Sequence, residues 1–190
     1  MTTPESPRLR SRMMLALIFA VCAIPFVASY ALYYLWPPQS RINYGTLIEP
    51  RAVPSVPLAR LDGSRFSLAE LKGRWLMLQI DASECAAQCR RKLYLMRQLR
   101  LMQGRNMDRV ERVWLVRDAG AVAPELLRDY VGTHVVRAGS PLLEVFPSER
   151  DPTDHIYLMD PLGNLMLRFP KDADPGRVHK DIERLLKISG

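Results

Sequence analysis

The sequence contains no concentrated basic patch, although positive charge is plentiful. Its 190 residues include 27 lysines and arginines against 20 aspartates and glutamates, a formal net charge of +7. The only tight basic run is Arg90-Arg91-Lys92, and no alternation of aromatic and basic side chains suggests a base-stacking surface. Since dispersed charge is a weak signal, we expect no nucleic acid among the partners.

Charge is missing altogether from the 23 residues between Met13 and Leu35. About 20 apolar residues are enough to span a bilayer. Four aromatic residues gather at the far end, as in an aromatic belt: Tyr30, Tyr33, Tyr34 and Trp36. The arginines that precede the run place the N-terminus in the cytoplasm. We therefore predict an uncleaved anchor in the inner (plasma) membrane with the rest of the chain on the periplasmic side; a cleaved signal peptide is the alternative.

The sequence also has no internal repeat, and its nine methionines are scattered through apolar runs, without a methionine-rich copper motif. Five prolines between residues 36 and 57 indicate an extended linker. The predicted organisation is a cytoplasmic N-terminus over 1–12, a transmembrane helix over 13–35, a Pro-rich linker over 36–57 and one domain over 58–190. Cys22 lies inside the apolar run, where we interpret it as a small apolar residue.

The globular part alternates strand and helix signals. Asp62-Gly63 predicts a hairpin, Ser67 caps a short helix ended by Gly73, and the apolar run Trp75–Ile80 predicts a buried strand. The remaining predictions are a helix from Cys89 to about Met102, a strand Val110–Val116, a helix Pro124–Tyr130, a short strand Thr133–Ala138, a helical turn Pro141–Phe146, a loop Asp151–His155, strands Ile156–Met159 and Leu165–Phe169, and a helix from Pro175 to about Ile188. This order is the α/β thioredoxin plan, a central mixed sheet with flanking helices.

Two of the three cysteines, Cys85 and Cys89, stand where the first core strand gives way to its helix. Residues four apart on a helix share one face, so the two thiols can close a disulfide or bind one soft metal ion. The amides of a helix start and the run Arg90-Arg91-Lys92 favour thiolates, whereas Glu84 opposes them. A purely structural disulfide is the other interpretation, although so short a loop gains little unfolded-state entropy.

Three stretches of the domain resemble the SCO/SenC family of membrane-anchored, thioredoxin-fold copper-assembly proteins. They are Leu61-Asp-Gly-Ser-Arg-Phe-Ser-Leu-Ala-Glu-Leu-Lys-Gly-Arg-Trp75, the Cys85-x-x-x-Cys89 spacing, and Asp154-His155 shortly before Tyr157-Leu-Met-Asp-Pro161. The resemblance implies copper, Cu(I), bound by Cys85, Cys89 and His155. It also implies a role in the assembly of cytochrome c oxidase, with the copper-bearing subunit or another assembly factor as partner.

The chain departs from that family at the motif itself. Ala86 and Arg90 stand where the family usually has proline after each cysteine. His155 lies about three residues closer to the Tyr-Leu pair, and on a strand an odd shift turns a side chain to the opposite face. His155 reaches the cysteines only if the segment before it is a loop, in which case Asp154 can orient it.

Three functions follow, in order of preference. The first is a membrane-anchored copper chaperone for cytochrome c oxidase, without catalytic turnover. The second is a thiol–disulfide oxidoreductase that keeps the copper-site cysteines of a client reduced, and the third is a scaffold that retains the fold alone. Asp118, His134 and His179 have no assigned role; we interpret Asp118 as a loop carboxylate and His179 as solvated.

Overall fold

The computed structural model describes residues 7–35 and 43–189, and the chain divides into two units, residues 1–42 and 43–190. The first unit contains helix α1, Pro7–Leu35. Its segment Arg12–Leu35 is long and apolar enough to cross a membrane, with a mean hydropathy of 2.3 over an 18-residue window. The predicted helix over 13–35 is therefore present and begins earlier than its apolar part.

The second unit is built on one eight-stranded sheet with the order β1-β8-β7-β4-β5-β6-β2-β3. The strands are β1 Thr46–Ala52, β2 Leu58–Arg60, β3 Arg65–Phe66, β4 Trp75–Asp81, β5 Val110–Val116, β6 Thr133–Arg137, β7 His155–Met159 and β8 Asn164–Pro170. The pairs β4–β5 and β5–β6 are parallel and the other pairs are antiparallel. The sheet is thus mixed, with its parallel strands at the centre.

The two central strands have the sequences expected of strands covered on both faces. All seven residues of β4 and all seven of β5 are buried. The apolar run of β4 matches this burial, and β5 is apolar apart from the buried Glu111 and Arg112. The predicted bounds of β5 are confirmed, and β4 extends one residue beyond the prediction, to Asp81. The extra residue matters because it adds a carboxylate at the strand end that precedes the cysteines.

Helices cover both faces of the sheet. They are α2 Ala87–Met102, α3 Pro124–Asp129, α4 Ser140–Leu143 and α5 Pro175–Ile188. On one face, Leu93, Met96 and Leu99 of α2 pack with Val178 and Ile182 of α5 in a cluster that also contains both cysteines. The cluster on the other face contains Phe66, Leu142, Phe146 and Tyr157. Two cores separated by one mixed sheet give the predicted thioredoxin-like architecture.

The turn chemistry predicted from the sequence is also present. Strands β2 and β3 pair antiparallel around Asp62-Gly63, and Gly63 has a φ of +82°, a conformation that glycine adopts readily. Ser67 accepts from the backbone of Ala69, and the side chain of Glu70 accepts from Ser67 N at 2.7 Å. This reciprocal cap starts a short 3₁₀ helix over Leu68–Leu71, where the sequence predicted a short helix.

Part of the predicted linker belongs to the sheet instead. Residues 46–52 form β1, which pairs antiparallel with β8 at the sheet edge. The strand was missed because it lacks apolar–polar alternation and contains Pro50. Proline is tolerated at an edge strand, and here it lies where the register shifts between Leu47 and Arg51. The predicted linker residues 36–42 fall outside the described part of the chain.

Candidate functional site

Cys85 and Cys89 form a disulfide beyond the carboxyl end of β4, with their Cα atoms 5.0 Å apart. Helix α2 begins at Ala87, two residues earlier than predicted. Cys85 therefore precedes the helix, with a φ of +44°, whereas Cys89 lies in its first turn. The pair is not an i, i+4 pair within a helix, as the sequence suggested, but a bridge between a loop and a helix start. The side chains are 1% and 2% exposed.

The loop that carries Cys85 is held from two sides. The carboxylate of Asp118 accepts hydrogen bonds from Ser83 N at 3.0 Å and from Gly120 N at 3.0 Å. The hydrogen bonds from Ser83 hold the pKa of Asp118 below its usual range. On the other side, Arg90 Nε donates to the Cys85 carbonyl at 3.1 Å. Asp118, interpreted from the sequence as an ordinary loop carboxylate, thus fixes the approach to the first cysteine.

Polar side chains lie beneath the disulfide, near the carboxyl end of strand β4. Alternation along the strand directs Gln79 and Asp81 to the same face as Met77, which belongs to the cluster containing the cysteines. Gln79 Nε2 lies 3.4 Å from Cys89 Sγ, and Gln79 is fully buried. A buried amide thus touches one sulfur of the disulfide directly.

Lys92 and Asp81 form a buried ion pair next to this amide. Lys92 Nζ is 2.7 Å from Asp81 Oδ2, and the Lys92 side chain has no exposed surface. Lys92 also donates to the carbonyls of Ile80 and Thr153, at 3.4 and 2.5 Å. Burial raises the pKa of Asp81 and lowers the pKa of Lys92, and the attraction between the two opposes both shifts. Lys92 is therefore a core residue and not part of a solvated basic run.

A short segment on the far side of the motif is tied to the start of α2. Gln88 Nε2 is 3.2 Å from Asp154 Oδ1 and 3.4 Å from the Thr153 carbonyl. Thr153 and Asp154 belong to a 3₁₀ helix, Pro152–Asp154, that leads into β7. With Lys92, Gln88 thus fastens the Cys-x-x-x-Cys loop to this segment, and Asp154 is engaged by Gln88 rather than by its neighbour His155.

The structure does not bring His155 to the cysteines. His155 is the first residue of β7, and its ring stacks edge-on against Tyr157 at 5.8 Å between centroids. Tyr157 packs in the cluster on the opposite face of the sheet from Cys85 and Cys89. The Nδ1 atom of His155 lies 3.4 Å from the Phe169 carbonyl oxygen, and burial lowers the pKa of His155. The odd shift of His155 relative to the SCO/SenC pattern thus turns its side chain to the opposite face of the sheet, as predicted.

The other two histidines lie away from the disulfide. His134 stacks on Phe66 at 5.5 Å between ring centroids, with Glu111 3.7 Å from its Nε2. His179 is not simply solvated, since its Nδ1 lies 3.0 Å from Gln103 Nε2. Among residues 7–35 and 43–189, no group of three or more His, Cys, Asp or Glu side chains is placed to hold a metal ion. Reduction would supply two thiolates that fit soft Cu(I), but His155 does not complete that set.

Sequence reasoning did not identify Gln79 and Asp81 as neighbours of the disulfide, and it did not recognise that Lys92 is buried. A signal for Lys92 was available, since it lies three residues after Cys89 and four before Met96, on the buried stripe of α2. Its membership of the run Arg90-Arg91-Lys92 concealed this position. Gln79 was visible as the only polar residue within Trp75–Ile80, but nothing in the sequence indicates which face it occupies.

Comparisons with known proteins agree with this fold. Yeast Sco1 with copper bound superimposes with a TM-score of 0.62 at 18% identity, covering 74% of this chain and 95% of Sco1. Bradyrhizobium japonicum ScoI with copper bound gives 0.52 at 19% identity, covering 73% and 99%. The thioredoxin domain of a Bacteroides vulgatus thiol–disulfide oxidoreductase gives 0.53 at 14% identity, covering 74% and 99%. These likenesses show the fold alone, and no curated protein matches the sequence.

The family comparison concerns the core of the domain. The sequence model of one family, described as "Transmembrane-like, thioredoxin-like, C-terminal domain", matches residues 75–189. The match begins at the first residue of β4 and ends one residue after α5, so it includes the disulfide and every strand from β4 to β8. The predicted likeness to SCO/SenC proteins is confirmed in the fold by the Sco1 and ScoI structures, and by its sequence the chain belongs to the transmembrane-like, thioredoxin-like C-terminal domain family.

Proposed function

We propose that the chain is a membrane-anchored thiol–disulfide exchange protein whose redox pair is Cys85 and Cys89. The observation that carries the proposal is the disulfide itself, formed between a loop and the first turn of α2 at the carboxyl end of the central strand β4. It closes a loop with a sequence separation of 4, and such a loop constrains the unfolded chain little. Stabilisation of the fold alone therefore does not account for the disulfide.

The exchange step needs only the two cysteines and a client disulfide. In the reduced protein, one thiolate attacks a client sulfur, the client S–S bond breaks, and a mixed disulfide forms. The second thiolate then attacks the mixed disulfide, which restores the Cys85–Cys89 bond and releases the client as a dithiol after uptake of two protons. Two electrons pass to the client, and a thiol reductant returns them. Because both cysteines are buried, exchange requires the structure around them to open.

The client class follows from the resemblance to SCO/SenC proteins. We propose cysteines of a copper-bearing subunit of cytochrome c oxidase, or of another assembly factor, as the dithiol that is kept reduced. The helix start of α2 supports thiolate chemistry, because no side chain caps its first amides and such amides favour an anion close by. Lys92 does not contribute to this effect as the sequence suggested, since its charge is matched by Asp81.

A redox titration tests the proposal. The full-length Cys22→Ala protein in mild detergent, whose only thiols are Cys85 and Cys89, should be partly reduced and partly oxidised in mixtures of reduced and oxidised glutathione. We expect this because helix-start amides stabilise the reduced pair, which raises the reduction potential above the range of structural disulfides. Alkylation and mass measurement give the reduced fraction. A potential below about −300 mV, with a large loss of thermal stability on reduction, would contradict it.

Cu(I) carriage is the second candidate function. It is favoured by the Cys-x-x-x-Cys spacing and by the fold that the chain shares with copper-bound Sco1 and ScoI. In this candidate Cu(I) is cargo, held by the thiolates of Cys85 and Cys89 in the reduced protein. Both candidates use the same two sulfurs, so oxidation to the disulfide turns the copper function off.

Topology is a separate prediction. Arg8, Arg10 and Arg12 before the apolar run indicate an N-terminus in the cytoplasm and a domain on the periplasmic side. Alkaline phosphatase fused after Gly190 should be active in a bacterial host, because this enzyme needs the oxidising periplasm to form its disulfides. Replacing the three arginines by glutamate should lower that activity. A cytoplasm-dependent reporter that is active at the same position would overturn the prediction.

A further inference from the structure

Gln79 is placed where its hydrogen bonding depends on the redox state of Cys89. The residue lies in the middle of a strand that is buried throughout, on the face that packs against α2. Its Nε2 has Cys89 Sγ as a partner at 3.4 Å, and within the described residues its Oε1 has no hydrogen-bond partner. A buried amide that lacks partners destabilises the state in which it lacks them.

The disulfide is a poor partner for this amide. A disulfide sulfur is a weak acceptor and carries no proton, so it leaves Nε2 weakly bonded and Oε1 unbonded. A Cys89 thiolate accepts from Nε2 in a charge-assisted hydrogen bond, which is about twice as strong as a neutral one. A Cys89 thiol can instead donate its S–H to Oε1. Either form of the reduced residue therefore satisfies Gln79 better than the disulfide does.

We propose that Gln79 is a positioning residue that shifts the Cys85–Cys89 pair toward its reduced state by hydrogen bonding to the sulfur of Cys89. The inference deepens the proposed exchange function and rests on it. Only an interaction that differs between two states shifts their equilibrium, and this amide supplies such a difference. Its hydrogen bond is to the sulfur of Cys89. Reduction thus breaks the S–S bond and leaves its electron pair on Cys89 Sγ, where the Gln79 amide stabilises it. At the same time, two thiols of the reductant become a disulfide.

Substitution of Gln79 by methionine isolates this effect. Methionine is unbranched and of similar length, so it fills the site while removing both polar atoms of the amide. In the Cys22→Ala background we expect the equilibrium constant for reduction by glutathione to fall about tenfold, which is about 30 mV for a two-electron couple. We also expect slower reduction by dithiothreitol, because the departing thiolate loses its donor. Loosened packing alone would make the sulfurs more accessible and reduction faster.

Met77→Leu is the matched control. Met77 lies two residues earlier on the same face and is also buried, so its substitution disturbs the same core but removes no hydrogen-bonding amide. Its equilibrium constant should stay within twofold of the parent. The proposal is overturned if Gln79→Met leaves the constant unchanged, or if Met77→Leu shifts it equally. If the parent does not equilibrate with glutathione, the exchange function fails, whereas the role of Gln79 is still decided by the same comparison in dithiothreitol buffers.

Discussion

Lys92→Met should destabilise the protein by about 3–5 kcal/mol, the typical cost of removing one partner from a buried ion pair. The substitution leaves Asp81 buried beside the disulfide without the ammonium that is now 2.7 Å away. It also removes the donor to the Ile80 and Thr153 carbonyls. Urea denaturation of the oxidised, full-length protein in detergent, followed by near-ultraviolet circular dichroism, measures the change in the free energy of unfolding.

The double variant Asp81→Leu/Lys92→Met is the control for this effect. Replacing both charges by apolar groups removes the desolvation penalty together with the attraction, so we expect stability close to the parent or above it. The single Asp81→Leu variant should be destabilised, because it leaves the buried cation of Lys92 without its carboxylate. If the losses in the two single variants simply add in the double variant, the residues do not form a coupled pair.

The same pair predicts how the Lys92→Met variant responds to pH. Burial already raises the pKa of Asp81 above its ordinary value, and loss of the nearby cation raises it further. A carboxyl group whose pKa is higher in the folded than in the unfolded state destabilises the folded protein at pH values at which the group must ionise. The variant should therefore recover stability relative to the parent as the pH falls through the raised pKa of Asp81.

The limits of the sequence prediction are physical ones. Strand β4 and the hairpin around Asp62-Gly63 were predicted because their signals are local: a nearly continuous apolar run and a two-residue turn. Strand β1 was missed because its partner β8 lies more than a hundred residues away and sets its pairing. Its own sequence, with Pro50 and no alternation, resembles a linker.

The candidate site shows the same division between local and long-range information. The position of the cysteines at a strand–helix junction could be predicted from local signals, whereas the choice between a disulfide and a metal site stayed open. Which side chains surround the sulfurs depends on the faces of β4, α2 and β7, which the sequence determines only through register. For His155 the register argument was available, and the structure agrees with it. For Gln79 no comparable argument identifies the neighbouring cysteine.

Cu(I) should bind only to the reduced protein, at one ion per chain, if the second candidate function holds. Two thiolates suit a soft cation, and the disulfide has none to offer. In the Cys22→Ala background, Cys85→Ala or Cys89→Ala should abolish tight binding, because one thiolate cannot hold Cu(I) against a competing thiol ligand. Titration of reduced and oxidised protein against a chromophoric Cu(I) chelator gives the affinity and the stoichiometry.

His155→Ala is the informative control in that titration. The resemblance to SCO/SenC proteins implies that imidazole is the third ligand, and removal of such a ligand would weaken Cu(I) binding by less than loss of a cysteine. The observed register places the His155 ring beside Tyr157, on the face opposite the cysteines, so we expect an unchanged affinity. A clear loss of affinity in His155→Ala would mean that the start of β7 rearranges in the copper-bound state. Undiminished Cu(I) binding by the oxidised protein, or by the double cysteine variant, would place the copper site elsewhere in the chain.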